Sequence, residues 1–261
     1  MATWAMASHG RWAWLTVALT LTILAPSPTV GIFLQGTETS YARFPKWDAC
    51  TNATFSFEFR TTQSEGLLMY ADDGGRFDFF QQMMHTGGRI RLILNIVNGR
   101  DGRVQIDVGR SVNDGHWHRV VIRRHRMETT LLVDGVSDSR SSFGSDFNFG
   151  NTESNSEMFI GGLPNEMHDN IHQLALPSAL YKTRFRGSIR NVIYGNCTCQ
   201  RTRGRMIEGV GVTVRPREAC DVRDPCRRGC LCVSGDTEPT CDCTELKCVT
   251  GECVGVFIFR P

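Results

Sequence analysis

The sequence predicts an all-β protein, an antiparallel sandwich followed by a small disulfide-rich module, on three observations. The run Asn113 to Gly135 packs a turn, two strands and a second turn together. Period-two alternation of apolar residues recurs upstream of it, and eight of the eleven cysteines crowd into Cys220 to Cys253.

The elements follow in chain order. Arg11 precedes an apolar stretch, Trp12 to Ala25, and small residues come next, so residues 1–31 read as a secretory signal with cleavage after Ser27 or after Gly31. The stretch is too short to span a bilayer comfortably, and no later apolar run reaches the roughly 20 residues a span needs. The expected product is secreted and extracellular. Thr54 to Arg60 places Phe55, Phe57 and Phe59 on one face of a strand, and Arg89 to Val97 does the same with Ile90, Leu92, Leu94 and Ile96. Turn residues punctuate these strands at Asp73 to Gly75, Gly87 to Gly88, Asn98 to Gly102, Asn113 to Gly115 and Asp134 to Gly135. No long helical period competes. Between Gln200 and Pro216 the chain is rich in Arg and Gly without an apolar period, which predicts a linker whose four Arg also suggest a processing site.

Composition is that of an ordinary globular protein, and a formal charge of +2 is too small to predict a nucleic-acid partner. The dense C-terminal cysteines suit a disulfide framework in an oxidising compartment, because so short a segment cannot bury a core. Zinc is the rival, but Cys230 and Cys232, like Cys241 and Cys243, are one residue apart, closer than structural zinc pairs usually stand. An odd cysteine total leaves one of Cys50, Cys197 and Cys199 free or paired with another chain. A bridge from Cys50 to Cys197 or Cys199 would tie the start of the sandwich to its end.

The NDG.WH segment followed by L.VDG resembles the signature of laminin-G-type domains. Further blocks agree in order: Gly66 to Gly75 (GLLMYADDGG), Phe77 to Gln82 with Gly87 and Gly88, Met158 to Pro164 (MFIGGLP) and Phe185 to Val192 (FRGSIRNV). Ala42 to Cys50 resembles the start of the first such domain in alpha-neurexins. The resemblance implies a concanavalin-like jelly-roll over residues 32–199, with Trp117 in the core and His118 at a sheet surface. The relatives are membrane-anchored, so this chain reads as a truncated or short secreted form.

The later cysteines resemble an EGF-like module over residues 217–254, after a 200–216 linker and before a 255–261 tail. That likeness implies bridges Cys220 to Cys232, Cys226 to Cys241 and Cys243 to Cys253, leaving Cys230 and Cys248 as an additional pair. It also implies that the module acts as a spacer.

Family members often bind calcium at the rim. Asp78 matches the family Asp, and the backbone carbonyl of Ile96, or of Val97, matches its second ligand. The resemblance implies adhesion to the extracellular domains of cell-surface or synaptic proteins through rim loops, with Phe143 to Ser156 the longest polar loop. Arg119, Arg123, Arg124 and Arg126 with His125 suggest a sulfated-glycan partner as the alternative, or a solvated outer face. His116 and His118 share a strand face but lack a third metal ligand. Asn52 and Asn196 head glycosylation sequons. No catalytic motif appears, and FDFFQQ carries a single acid where related glycosidases carry several, so no enzyme is expected.

Overall fold

The structure, a computed structural model, describes residues 31–96, 102–142, 149–214, 220, 225–226, 230–236, 238–249 and 252–257. The expected signal segment up to Val30 lies outside them. The strands are β1 (Ile32–Gln35), β2 (Tyr41–Phe44), β3 (Asn52–Arg60), β4 (Gly66–Asp72), β5 (Phe79–His85), β6 (Arg89–Asn95), β7 (Val104–Val108), β8 (His118–His125), β9 (Glu128–Val133), β10 (Val136–Ser141), β11 (Met158–Ile160), β12 (Arg186–Gly195), β13 (Arg201–Arg203), β14 (Glu208–Val210) and β15 (Val212–Val214). Beyond them come β16 (Leu231–Val233), β17 (Thr240–Asp242), β18 (Thr244–Val249) and β19 (Glu252–Phe257).

Two antiparallel sheets face each other. Sheet A runs β10-β9-β8-β3-β12-β1-β15, with β13 also on β12, and sheet B runs β14-β2-β11-β4-β5-β6-β7. Period-two alternation drives Phe55, Phe57 and Phe59 of β3 and Ile90, Leu92 and Leu94 of β6 inward, each 1% exposed or less. The run Gly66 to Asp72 lacks alternation because β4 is buried on both faces. Its outer side meets a second apolar cluster, in which Tyr70 and Phe159 pack with Leu174 and Leu180 of the segment bearing short 3-10 turns at Asn165–Met167, Ile171–Gln173 and Pro177–Tyr181.

The turn chemistry read from sequence appears at the β9–β10 hairpin, where Asp134 and Gly135 take φ values of 50° and 85°. Two consecutive positive φ values define the turn that matches strand twist, and Val133 stands opposite Val136.

Within the expected 200–216 linker, residues 201–214 are built into the sandwich. β13 pairs with β12, β14 with β2 and β15 with β1. The physical cause is that β1 and β2 would otherwise expose edge groups in different sheets. The chain crosses between the two edges at Gly211, whose φ of 59° and 2.3 Å approach of a notional Cβ to Ser40 Oγ leave room for glycine alone. Pairing of β13 also removes Arg201 and Arg203 from any extended, cleavable loop.

Cys50 is bridged to Cys197, joining the approach to β3 with the turn after β12. In the C-terminal module Cys220 is bridged to Cys232 and Cys226 to Cys241, but Cys243 is bridged to Cys230, not to Cys253. Register explains the correction. Leu231 stands opposite Asp242, so the next pair outward is Cys230 and Cys243, with Cα atoms 4.1 Å apart. Cys253 instead stands opposite Cys248 in the register of β18 and β19, and β19 extends to Phe257, inside the expected tail.

The module is not a free spacer. Asn191, left-handed (φ 53°) at a bulge in β12, donates from Nδ2 to the Ser234 carbonyl (2.8 Å) and accepts the Ser234 N–H at Oδ1 (2.9 Å). Arg190 reaches Asp236 at 2.7 Å, and Arg203 donates to the Cys232 carbonyl at 3.1 Å.

Candidate functional site: the Asp78 rim

Asp78 immediately precedes β5, at the end of a tight loop that Asp73 organises. The Asp73 carboxylate accepts the N–H groups of Arg76 (2.8 Å) and Phe77 (3.0 Å), and its own N–H donates to the Asp78 carbonyl (3.0 Å). The Asp78 side chain turns inward and is 3% exposed. Oδ2 accepts the Gly150 N–H at 3.1 Å, whereas the buried Oδ1 has no hydrogen-bond partner among the described residues. Burial pushes this carboxyl up to about 6, aided by the Asp73 charge and opposed by the Gly150 bond and the Arg124 charge.

Arg124 was expected on a solvated strand face. Alternation along β8 instead exposes Arg123 and His125 and buries Arg124 beside Val120 and Ile122. Desolvation lowers its guanidinium to about 10, with the Asp78 charge acting the other way. The cation also lies 5.9 Å from the Phe80 ring. Sequence reading missed it because a charge on the core-facing parity of a strand contradicts the usual pattern; that parity was the available signal.

Ile96 follows β6 directly. Phe79 pairs with Asn95, so the register carries Asp78 and Ile96 to the same rim. The alternative, Val97, lies outside the described residues. Across the rim runs the end of the long loop, described from Phe149 onward. Ser156 closes it on β4 through bonds to Asp72 of 2.8 and 2.9 Å. Asn155 donates to the Phe149 carbonyl at 2.9 Å, while its own Oδ1 is buried without a partner among the described residues. A Cβ on Gly150 would lie 2.2 Å from that oxygen, so a glycine keeps the loop against the rim. The side-chain oxygens of Asp78 and Asn155 and the Ile96 carbonyl are hard donors of the kind calcium takes. Donor type therefore fits the ion, with Arg124 as a competing internal cation.

The second cluster from the sequence is structural, and its two rings exchange places relative to expectation. His118 faces inward and is 9% exposed. Its Nδ1 lies 2.7 Å from Asp134 and its Nε2 2.9 Å from Asp114, so it clasps the two turns that bracket the β8–β9 hairpin. Burial works against its protonation, but the two carboxylates outweigh it and raise its pKa. Asp114 is held down to about 2, first by the His116 N–H and then by His118. Both ring nitrogens being engaged, a metal pair with exposed His116 does not form. Trp117 takes the outer face, between the guanidiniums of Arg190 (4.1 Å) and Arg60 (5.1 Å). Asp48, Cys50 and Cys197 also cluster, but the Cys50–Cys197 bridge consumes both thiols.

Comparison with known proteins agrees with this architecture. A laminin G domain family model matches residues 59–196. The chain is 38% identical to Neurexin 1 of Drosophila melanogaster over 84% of its length and 30% identical to human Neurexin-2 over 82%. It spans only 13% and 12% of those two relatives. Among solved structures, domains LG4-5 of the mouse laminin alpha1 chain superpose with a TM-score of 0.58 at 18% identity, covering 72% of this chain and 48% of that one. The LG1-3 region of the laminin alpha2 chain gives 0.57 at 19%, covering 70% and 34%. Among the described residues no helix is long and apolar enough to cross a membrane. The chain belongs to the laminin G domain family, with neurexins among its relatives.

Proposed function

We propose that this chain is a non-enzymatic extracellular recognition module that binds partner ectodomains at cell contacts, including synaptic ones, through its rim loops. The observation that carries this reading is the Asp78 rim on a laminin G scaffold. A rigid two-sheet frame presents a loop, Phe149 to Ser156, whose backbone is tied to Asp72 and Asp78. Calcium at the rim, held by Asp78, Asn155 and the Ile96 carbonyl, would supply a fixed charge and stiffen the loop against the sheet. Residues 1–31 would direct secretion, and Asn52 and Asn196 would carry glycans. Calcium titration calorimetry on the secreted chain tests the ion: the expected result is heat lost in Asp78→Ala, and equal heats from both proteins would sink it. Pull-down from neuronal cells, with and without calcium, tests adhesion.

A second reading has its own support. Register places Arg60, Arg119, Arg123 and Arg186 on the outer face of sheet A, with Arg60 against Trp117, a basic surface suited to a sulfated glycan. Retention on heparin beyond physiological salt, lost in Arg119→Ala with Arg123→Ala, is expected on this reading.

A further inference from the structure

The outer face of sheet B holds a cavity of about 550 Å³, which shares Asp72 and Ser156 with the base of the rim loop but does not include Asp78. Cross-strand register builds its floor: Glu208 of β14 stands opposite Arg43 of β2, Arg43 opposite Phe159 of β11, and Phe159 opposite Tyr70 of β4. The wall opposite is the 3-10 turn segment, which contributes Glu166, Met167 and Leu174.

The charge of this cavity is unbalanced. Glu157, Glu166 and Glu208 line it together with buried Asp72, and among the described residues the single cation lining it is Arg43. Arg43 is already occupied at both ends, by Glu157 at 2.5 Å and Glu208 at 2.6 Å. Glu208 further accepts the Tyr41 hydroxyl at 2.9 Å. Asp72 is spent internally on Tyr70 Oη, Gly74 N–H and Ala175 N–H. Glu166, exposed on its turn at the mouth, has no such partner among the described residues. The Tyr41 hydroxyl is pushed up to about 12, first by burial and then by Glu208 and Glu166, as expected inside a net negative field.

We propose that this cavity receives a lysine or arginine side chain from an extracellular partner protein. Such a side chain has two parts that the cavity matches separately. Its methylene stem lies along Phe159, Met167 and Leu174, and its charged head reaches the carboxylates at the mouth. The volume is that of an ordinary ligand pocket and exceeds one long side chain, so flanking backbone also enters. Asp78 does not line this cavity, so the cavity can bind a cation whether or not the rim takes calcium.

The test uses the full secreted chain, with hexa-arginine as probe and hexa-serine and calcium as controls, read by amide NMR shifts and calorimetry at low and physiological salt. Hexa-arginine should shift Met167, Gln173 and Leu174, bind at least five-fold more weakly to Glu166→Lys, and weaken with salt. Glu166→Gln should fall between the two. Melting curves of the Glu166 variants should match the parent, since that exposed side chain bonds to nothing among the described residues. Unchanged affinity in Glu166→Lys, equal shifts from hexa-serine or calcium, or shifts confined to other faces would overturn the proposal.

Discussion

The sandwich and the C-terminal module answer one demand, paying the entropy of an ordered chain, with different materials. In residues 32–214 Phe55, Phe57 and Phe59 interlock with Trp47, Phe80 and Tyr194 across ring distances of 5.1 to 6.4 Å. The module's described strands β16 and β17 are three residues each, and bridges Cys220–Cys232, Cys226–Cys241 and Cys230–Cys243 hold them. Burial scales with the number of residues available to enclose an interior, whereas a covalent bridge restricts the unfolded chain whatever its size. The two regions meet at Arg190 and Asn191, where a bulge in a core strand exposes polar groups to the module.

Removing interior volume should damage only the first region. Phe57→Ala should cost about 3–5 kcal/mol, as large-to-small core changes do, read as a lower denaturation midpoint of the sandwich. Replacing Cys226 and Cys241 together by Ser should cost the module about 3 kcal/mol for a loop of this span, with the sandwich midpoint unmoved. A matching fall in both midpoints would mean that the two regions unfold as one unit.

The junction can be cut more gently. Asn191→Gly keeps the left-handed backbone while removing two buried hydrogen bonds, a loss of about 2 kcal/mol of docking. Amide exchange at Ser234 should rise, and the sandwich core should stay protected. The smallest effect concerns the His118 clasp. Its folded pKa lies above the unfolded value near 6.5, so its contribution is complete below that pH and is lost as pH rises through the folded pKa. His118→Gln should remove this slope and cost about 1 kcal/mol or less, measured as stability against pH.

Much of the sandwich was legible because strand chemistry is local. Phe55, Phe57 and Phe59, the Asp134–Gly135 turn and the glycines at 87 and 88 each declared their conformation through neighbours in sequence. Asp78 and Ile96 were placed by family pattern, and the register of β5 on β6 brings them to one rim. Arg124 and Asn155 were not legible as site residues, because each owes its role to a contact across the sandwich or from a distant loop.

The sequence by itself determined the fold class, the phenylalanine core and the oxidising character of the C-terminal module, since period, turn chemistry and cysteine density act over a few residues. Only the tertiary structure decided which ring of the WH pair faces inward, that residues 201–214 close two sheet edges, and that Cys243 takes Cys230. Those outcomes depend on which strand lies beside which, and a one-residue change of register reverses the face of every side chain.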